Sequence, residues 1–250
     1  MPEGPLGFQR LTNIGPFVTE EVETNYRLIR GNSIEVLKEI NNNKEDNYVD
    51  AIITDPPYGI DVDSFDQVEG NIAGDKNVDQ ALGIFESTID EAEHGLVDGG
   101  PVLSFAGDQT LCDFMTRYVN EKFQVKQILI WDKINSGPPF QSPWWRYSYE
   151  MIIHASNGDP TYVNTNARDR DVLRFNSLST NQHFSKSHPA EKPVELMEYL
   201  IKSVTDKGDV VIDPFMGSGT TGVAAKNTER NFVGIELDKK FYNTAVRRMQ

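Results

Sequence analysis

The 250-residue sequence contains one cysteine, Cys112. A lone thiol excludes an internal disulfide and any metal site built from several thiolates, and it fits a reducing compartment. Also missing is an apolar run of membrane-spanning length, and the first ten residues lack the basic-then-apolar order of a signal peptide. A soluble, cytoplasmic protein with no membrane partner is therefore expected. There are no internal repeats. With 38% hydrophobic and 25% charged residues, the composition is that of a globular chain and not of a disordered one. The length suits one α/β domain with room for an inserted lobe.

Positive charge is short as well. The formal charge is −14, whereas phosphate neutralisation by Lys and Arg supplies most nucleic-acid affinity. The deficit is confined to one end: residues 1–100 carry 21 acidic and 6 basic side chains, and residues 101–250 carry 17 and 18. The C-terminal part stays open to a polyanion, while the acidic part reads as a solvated face.

Residues 2–23 have Gly and Pro punctuation and then an acidic run without a period, so 1–24 is taken as an arm and 25–250 as the domain. Beyond the arm, apolar spacing predicts strands over 26–30, 49–54, 100–105, 125–131, 150–155, 209–212 and 231–235. It predicts helices over 33–40, 82–96, 110–120, 193–204, 220–227 and 239–249. Strands alternating with helices imply a mostly parallel sheet covered by helices on both faces, a Rossmann-like α/β fold. Three stretches break the rhythm, among them residues 133–147, with Gly, Pro and four aromatics. Residues 59–79 are rich in Gly and Asp, and a loop of that length is usually functional. Residues 156–189 are polar, carry Arg168, Arg170 and Arg174, and contain the candidate inserted lobe at 156–187.

The chemistry is concentrated at two strand ends. Val210-Val211-Ile212 runs into Asp213-Pro214-Phe215-Met216-Gly217-Ser218-Gly219-Thr220-Thr221 and then into an Ala-rich helix. Glycines at such a turn let the backbone approach a ligand closely, and the helix start offers N–H groups to an anionic group. The next strand ends at Glu236, near the usual distance for the acid that holds ribose hydroxyls. No Gly-Lys-Ser/Thr follows the glycines, so a phosphate-cradling loop is disfavoured and a nucleoside cofactor favoured.

At the other strand end stands Asp55-Pro56-Pro57-Tyr58. The lone pair of an aromatic amine is delocalised into its ring, so the nitrogen attacks poorly. A carboxylate from Asp55 and the Pro56 carbonyl can accept both amino hydrogens and draw the nitrogen toward tetrahedral geometry. Pro57 stiffens the turn, and Tyr58 offers a ring on which an extruded base can stack.

The order Asp55-Pro-Pro-Tyr first and Asp213-Pro-Phe-Met-Gly-Ser-Gly last resembles the beta group of amino-methylating (adenine-N6 or cytosine-N4) DNA methyltransferases, over nearly the whole chain after the arm. The segment His188-Pro-Ala-Glu-Lys192-Pro-Val-Glu-Leu is similar to the one that precedes the family's glycine loop. The resemblance implies a methyltransferase that uses S-adenosylmethionine on double-stranded DNA, with a small target-recognition lobe. It implies catalytic roles for Asp55, Pro56, Pro57 and Tyr58. Cofactor binding is implied for Asn32, Asp55, His188, Lys192, Asp213, Phe215, Gly217, Ser218, Gly219, Thr220 and Glu236. Within that set, His188 and Lys192 would hold the methionine part and Glu236 the ribose. The family commonly has Gly-Asp where this chain has Gly31-Asn32; the Asn32 oxygen would accept from the cofactor's adenine amino group without charge assistance. Adenine is the expected target, because Asp at the first position of the motif goes mostly with adenine and Ser with cytosine. A homodimer and a cognate restriction enzyme are compatible partners.

Rival readings share parts of this pattern. Cytosine amino methylation uses the same physics, an RNA or a protein amide presents a similar planar amine, and a non-catalytic DNA-binding module could keep the fold. Cys112 lies in a predicted helix without a preceding Pro, which makes it a buried thiol and not a carbon-methylating nucleophile. His154 ends an apolar strand and reads as structural. Trp144, Trp145 and Tyr147 beside Arg146 suit a DNA surface or an aromatic core equally, and Arg168, Arg170 and Arg174, alternating with Asp169 and Asp171, suit phosphate contact or ordinary surface ion pairs.

Overall fold

Short β-branched runs that stop abruptly at Asp-Pro or Gly become the central strands of a computed structural model. It describes residues 17–23, 25–42, 48–58, 78–107, 109–135, 148–159, 170–178 and 191–250. Among those residues the strands are β1 (Val18–Glu23), β2 (Tyr26–Arg30), β3 (Ala51–Thr54), β4 (Pro101–Ala106), β5 (Gln124–Lys133), β6 (Tyr149–Ser156), β7 (Val172–Phe175), β8 (Val210–Asp213) and β9 (Asn231–Glu236). The helices are α1 (Ser33–Asn42), α2 (Val78–Glu93), α3 (Gln109–Lys122), α4 (Val194–Val204), α5 (Thr220–Asn227) and α6 (Lys239–Met249). None of them is long and apolar enough to cross a membrane.

The strands form one sheet in the order β1-β2-β9-β8-β3-β4-β6-β5-β7. From β2 to β4 the neighbours are parallel, β6 is antiparallel to β4 and β5, and β1 is antiparallel to β2. Every residue of β3, β4 and β8 is buried, the condition of a parallel sheet covered on both faces. Alternation across the pleat feeds two cores: Ile52 packs with Ile29, Leu37 and Phe85 on one face, and Ile53 with Leu28, Phe105 and Leu200 on the other. Each such fully buried side chain contributes about 1.5–3 kcal/mol.

Two elements depart from the sequence expectations. Part of the supposed arm is β1, whose backbone pairs Thr19 with Ile29 and Glu20 with Leu28. An edge strand needs no apolar period for its backbone to pair. Inside the candidate lobe, β7 joins the sheet parallel to β5 with Leu173 buried; four residues are too few for an alternation to register. Residues 59–77, Trp144, Trp145, Arg146, Tyr147, Arg168, Asp169 and His188 lie outside the described residues.

Candidate active site

In the sheet order, β9 follows β8 toward one edge while β4 follows β3 toward the other. That reversal opens a crevice beyond the carboxyl ends of the parallel strands. Asp55 follows β3, Asp213 ends β8 and Glu236 ends β9, so parallel pairing brings all three carboxylates to the same edge. The Thr54 hydroxyl donates to Asp213 Oδ1 across the junction at 2.8 Å. A cavity of about 420 Å³, a size ordinary for small-molecule sites, occupies the crevice. Its walls include Asn32, Asp55, Pro56, Pro57, Tyr58, Lys192, Asp213, Phe215, Gly217, Ser218, Thr220 and Glu236. Of the described residues expected from the sequence to serve the site, only Gly219 is not in the wall; it is the N-cap of α5 behind it.

The glycine turn is built by the backbone. Gly217 and Gly219 have φ of 54° and 85°, left-handed values that favour glycine. Ser33 Oγ donates to the Pro214 carbonyl at 2.5 Å, tying the start of α1 to the turn. Arg248, near the end of α6, donates to the Ser218 carbonyl at 3.0 Å and to Ser218 Oγ at 2.9 Å, and pairs with Glu191 at 2.9 Å. One guanidinium therefore fixes both the turn and the residue before Lys192.

Asp213 is an internal strut. It accepts from Thr54, from the Phe215 N–H at 3.0 Å and from Thr221 Oγ1 at 2.6 Å. Burial nevertheless pushes its carboxyl up to about 6. Glu236 accepts from the Gly217 N–H at 2.9 Å and the Asp238 N–H at 2.7 Å, and burial pushes it up to about 7. The sequence reading assigns Glu236 to ribose hydroxyls, which a carboxylate accepts best when ionised. Affinity for S-adenosylhomocysteine is thus expected to rise with pH through about 7, and calorimetry across that range should find the rise flattened in Glu236→Gln.

Asn32 has a structural role that the sequence reading did not weigh. Its Oδ1 accepts the N–H groups of Ile34 at 3.0 Å and Glu35 at 3.3 Å, making it the cap of α1. Lys192 also has local partners. Its ammonium, in a 6% exposed side chain, donates to Asp55 and lies 3.3 Å from Glu150 Oε2. It sits 5.7 Å from the Tyr58 ring centre and 5.0 Å from that of Phe105. The resemblance implied that Lys192 helps hold the methionine part of the cofactor; in the structure its ammonium also addresses the Asp55 carboxylate. Tyr58 donates its hydroxyl to the other oxygen of Asp55. Burial raises the Asp55 carboxyl above its ordinary value despite Lys192.

The sequence reading missed Glu191 and the half-exposed Leu237 in the cavity wall, and Glu150 and Arg248 behind it. Leu237 was findable, since it follows Glu236 directly. Cys112 is buried in α3, and burial holds His154 on β6 below its ordinary pKa. Arg174 pairs with Asp132 at 3.0 Å on the surface, and Arg170 is exposed.

Comparison with known proteins places this geometry. The model of the N6_N4_Mtase family, described as DNA methylase, matches residues 49–247. The type II methyltransferase M2.MboI of Moraxella bovis is 29% identical over 92% of this chain and 89% of its own length. M2.DpnII of Streptococcus pneumoniae is 27% identical over 81% and 82%. Among solved structures, the M1.HpyAVI–SAM complex superposes with a TM-score of 0.72 at 29% identity, covering 90% of this chain and 99% of that one. The cytosine-N4-specific PvuII DNA methyltransferase shares the fold at 17% identity, with a TM-score of 0.70 over 90% of this chain and 86% of its own. The chain belongs to the N6_N4_Mtase family of DNA methylases and is an S-adenosylmethionine-dependent DNA methyltransferase.

Proposed function

We propose that the protein methylates the exocyclic N6 amino group of an adenine at a specific site in double-stranded DNA. The observation that carries this reading is that Asp55-Pro56-Pro57-Tyr58 and the Asp213–Thr220 turn with Glu236 line one cavity. S-adenosylmethionine, when bound, supplies a methyl group already activated as a sulfonium. The cavity's donor set suits it. Glu236 offers a carboxylate for ribose hydroxyls, Ile34, Phe215 and Leu237 offer apolar surface for a purine, and the first turn of α5 offers N–H groups without partners inside the helix.

The chain's own contribution is orientation and electrostatics. The base leaves the duplex and stacks on Tyr58. Asp55 and the Pro56 carbonyl accept the two amino hydrogens, which restores the nitrogen's lone pair. Methyl transfer forms the N–C bond as the S–C bond breaks and leaves an additional proton on nitrogen; Asp55 is placed to take it. Asp at the first position of the motif favours adenine over cytosine. A homodimer and a cognate restriction enzyme belong to the same reading, and sedimentation tests the first.

Incubation of mixed-sequence duplex DNA with isotopically labelled cofactor, digestion to nucleosides and mass analysis test the proposal. Label is expected in methyladenosine. Label in amino-methylated cytidine would move the target to cytosine, and label in RNA or protein alone would overturn the substrate class.

A further inference from the structure

Behind the cavity wall stands a carboxylate, largely shielded from solvent, to which the reaction as described gives no role. Glu150, on β6, stands opposite Trp131 of β5 and contributes nothing to the cavity lining. Its side chain is only 16% exposed. Lys133 Nζ lies 2.5 Å from its Oε1, and Lys192 Nζ lies 3.3 Å from its Oε2. Lys192 in turn donates to Asp55, which also accepts from Tyr58. The result is a row of alternating charge, Lys133, Glu150, Lys192 and Asp55, that runs from β5 across β6 to the end of β3 and finishes on the carboxylate that meets the substrate amine.

We infer that Glu150 is a positioning residue for methyl transfer: it takes a share of the Lys192 ammonium and so sets how strongly Asp55 can accept the hydrogens of the target amine. The physical reason is competition for one cation. An ammonium held by Asp55 alone would tie up that carboxylate's lone pairs and pull its electron density away from the amine. A second carboxylate on the same ammonium weakens that hold while keeping the buried lysine charged. Burial opposes charge on Lys192, and Asp55 and Glu150 together overcome it. Burial likewise opposes charge on Glu150, and Lys192 and Lys133 together hold it ionised below its ordinary value. The Tyr58 and Phe105 rings lie against the same ammonium, with centroids 5.7 and 5.0 Å from it. Among the described residues Asp213 on β8 also carries charge near Asp55, and its carboxyl, lifted by burial to about 6, titrates in every variant below, so the acid limb is read as a difference between variants.

The inference rests on Asp55 as the amine acceptor, and the test separates the two. In Glu150→Gln, the carboxylate that competes with Asp55 for Lys192 is removed. Single-turnover methylation is expected to slow at least about tenfold, because the amine's acceptor is weakened within a low-dielectric site. The acid limb of the rate-against-pH profile is expected to move down, since loss of the Glu150 charge removes one of the causes that raise Asp55. Affinity for S-adenosylhomocysteine should stay within about twofold, a change below 0.5 kcal/mol. Lys133→Gln, which leaves Glu150 less compensated, should move the acid limb up, so the pair of variants gives opposite signs that a general loss of packing would not. Should Glu150→Gln fail to fold, the upward shift in Lys133→Gln carries the test alone. An unmoved acid limb with a full rate in folded Glu150→Gln, or in Lys133→Gln if that is the variant available, overturns the inference. If Asp55→Asn also keeps its turnover, the proposed mechanism fails with it; if Asp55→Asn is inactive, only the role of Glu150 falls.

Discussion

Asp55→Asn is expected to reduce methyl transfer by at least about 10³-fold, some 4 kcal/mol of transition-state stabilisation, while affinity for S-adenosylhomocysteine changes little. The amide keeps the volume of the carboxylate but turns one acceptor oxygen into a donor. Two donors, Lys192 and Tyr58, already address the Asp55 oxygens, so an amide has one oxygen to divide between them and the substrate amine. The fold should hold. Removing one partner of a buried ion pair usually costs about 3–5 kcal/mol because a lone charge is stranded, but Lys192 keeps Glu150 at 3.3 Å. Single-turnover kinetics beside cofactor calorimetry would check this. Near-full turnover in the variant would remove Asp55 from the chemistry.

Gly219→Ala is expected to damage the cofactor half of the site and the fold together. At φ of 85° an L side chain is strained, and the new Cβ would lie 2.8 Å from the Cβ of Ala245 and 3.0 Å from its Cα on α6. Left-handed strain costs about 1–2 kcal/mol and overpacking against rigid backbone about 1–3 kcal/mol more. For a chain of this size each kcal/mol lowers the melting temperature by roughly 2–4 °C. Because Ala245 cannot recede without moving α6, the turn should shift instead, and cofactor affinity should fall at least tenfold. Gly208→Ala supplies the control. Its φ is 88°, and nothing lies within 4 Å of the added carbon. It should show the backbone strain alone with cofactor binding intact, so equal effects in the two variants would refute the claim that the approach of α6 makes Gly219 necessary.

Elements whose signal is local were legible in the sequence. The helices at Thr220–Asn227 and Lys239–Met249 have the predicted bounds, because a left-handed glycine precedes the first and Asp238 caps the second by accepting from Lys240 and Phe241. The strands that end at Thr54 and Asp213 were marked by apolar runs cut by Asp-Pro. β1 and β7 were not legible, since an acidic edge and a four-residue strand carry too little periodicity. Asn32 was read as a ligand acceptor, although the short side chain before a helix is equally the signature of a cap.

By itself the sequence determined the α/β order after residue 25, the two loops that carry chemistry and the choice of a nucleoside cofactor, because propensity, turn residues and apolar period act over a few positions. Tertiary structure decided which side chains share the site. Parallel pairing of β3 with β8 brings Thr54 to Asp213 across 159 positions, and the segment before α4 delivers Lys192 to Asp55 across 137. The antiparallel seat of β6 beside β4 sets Glu150 behind that lysine. Contacts of this kind depend on strand register and on which edges meet. A one-residue slip would turn Glu150 to the opposite face of the sheet, and no local pattern of residues records it.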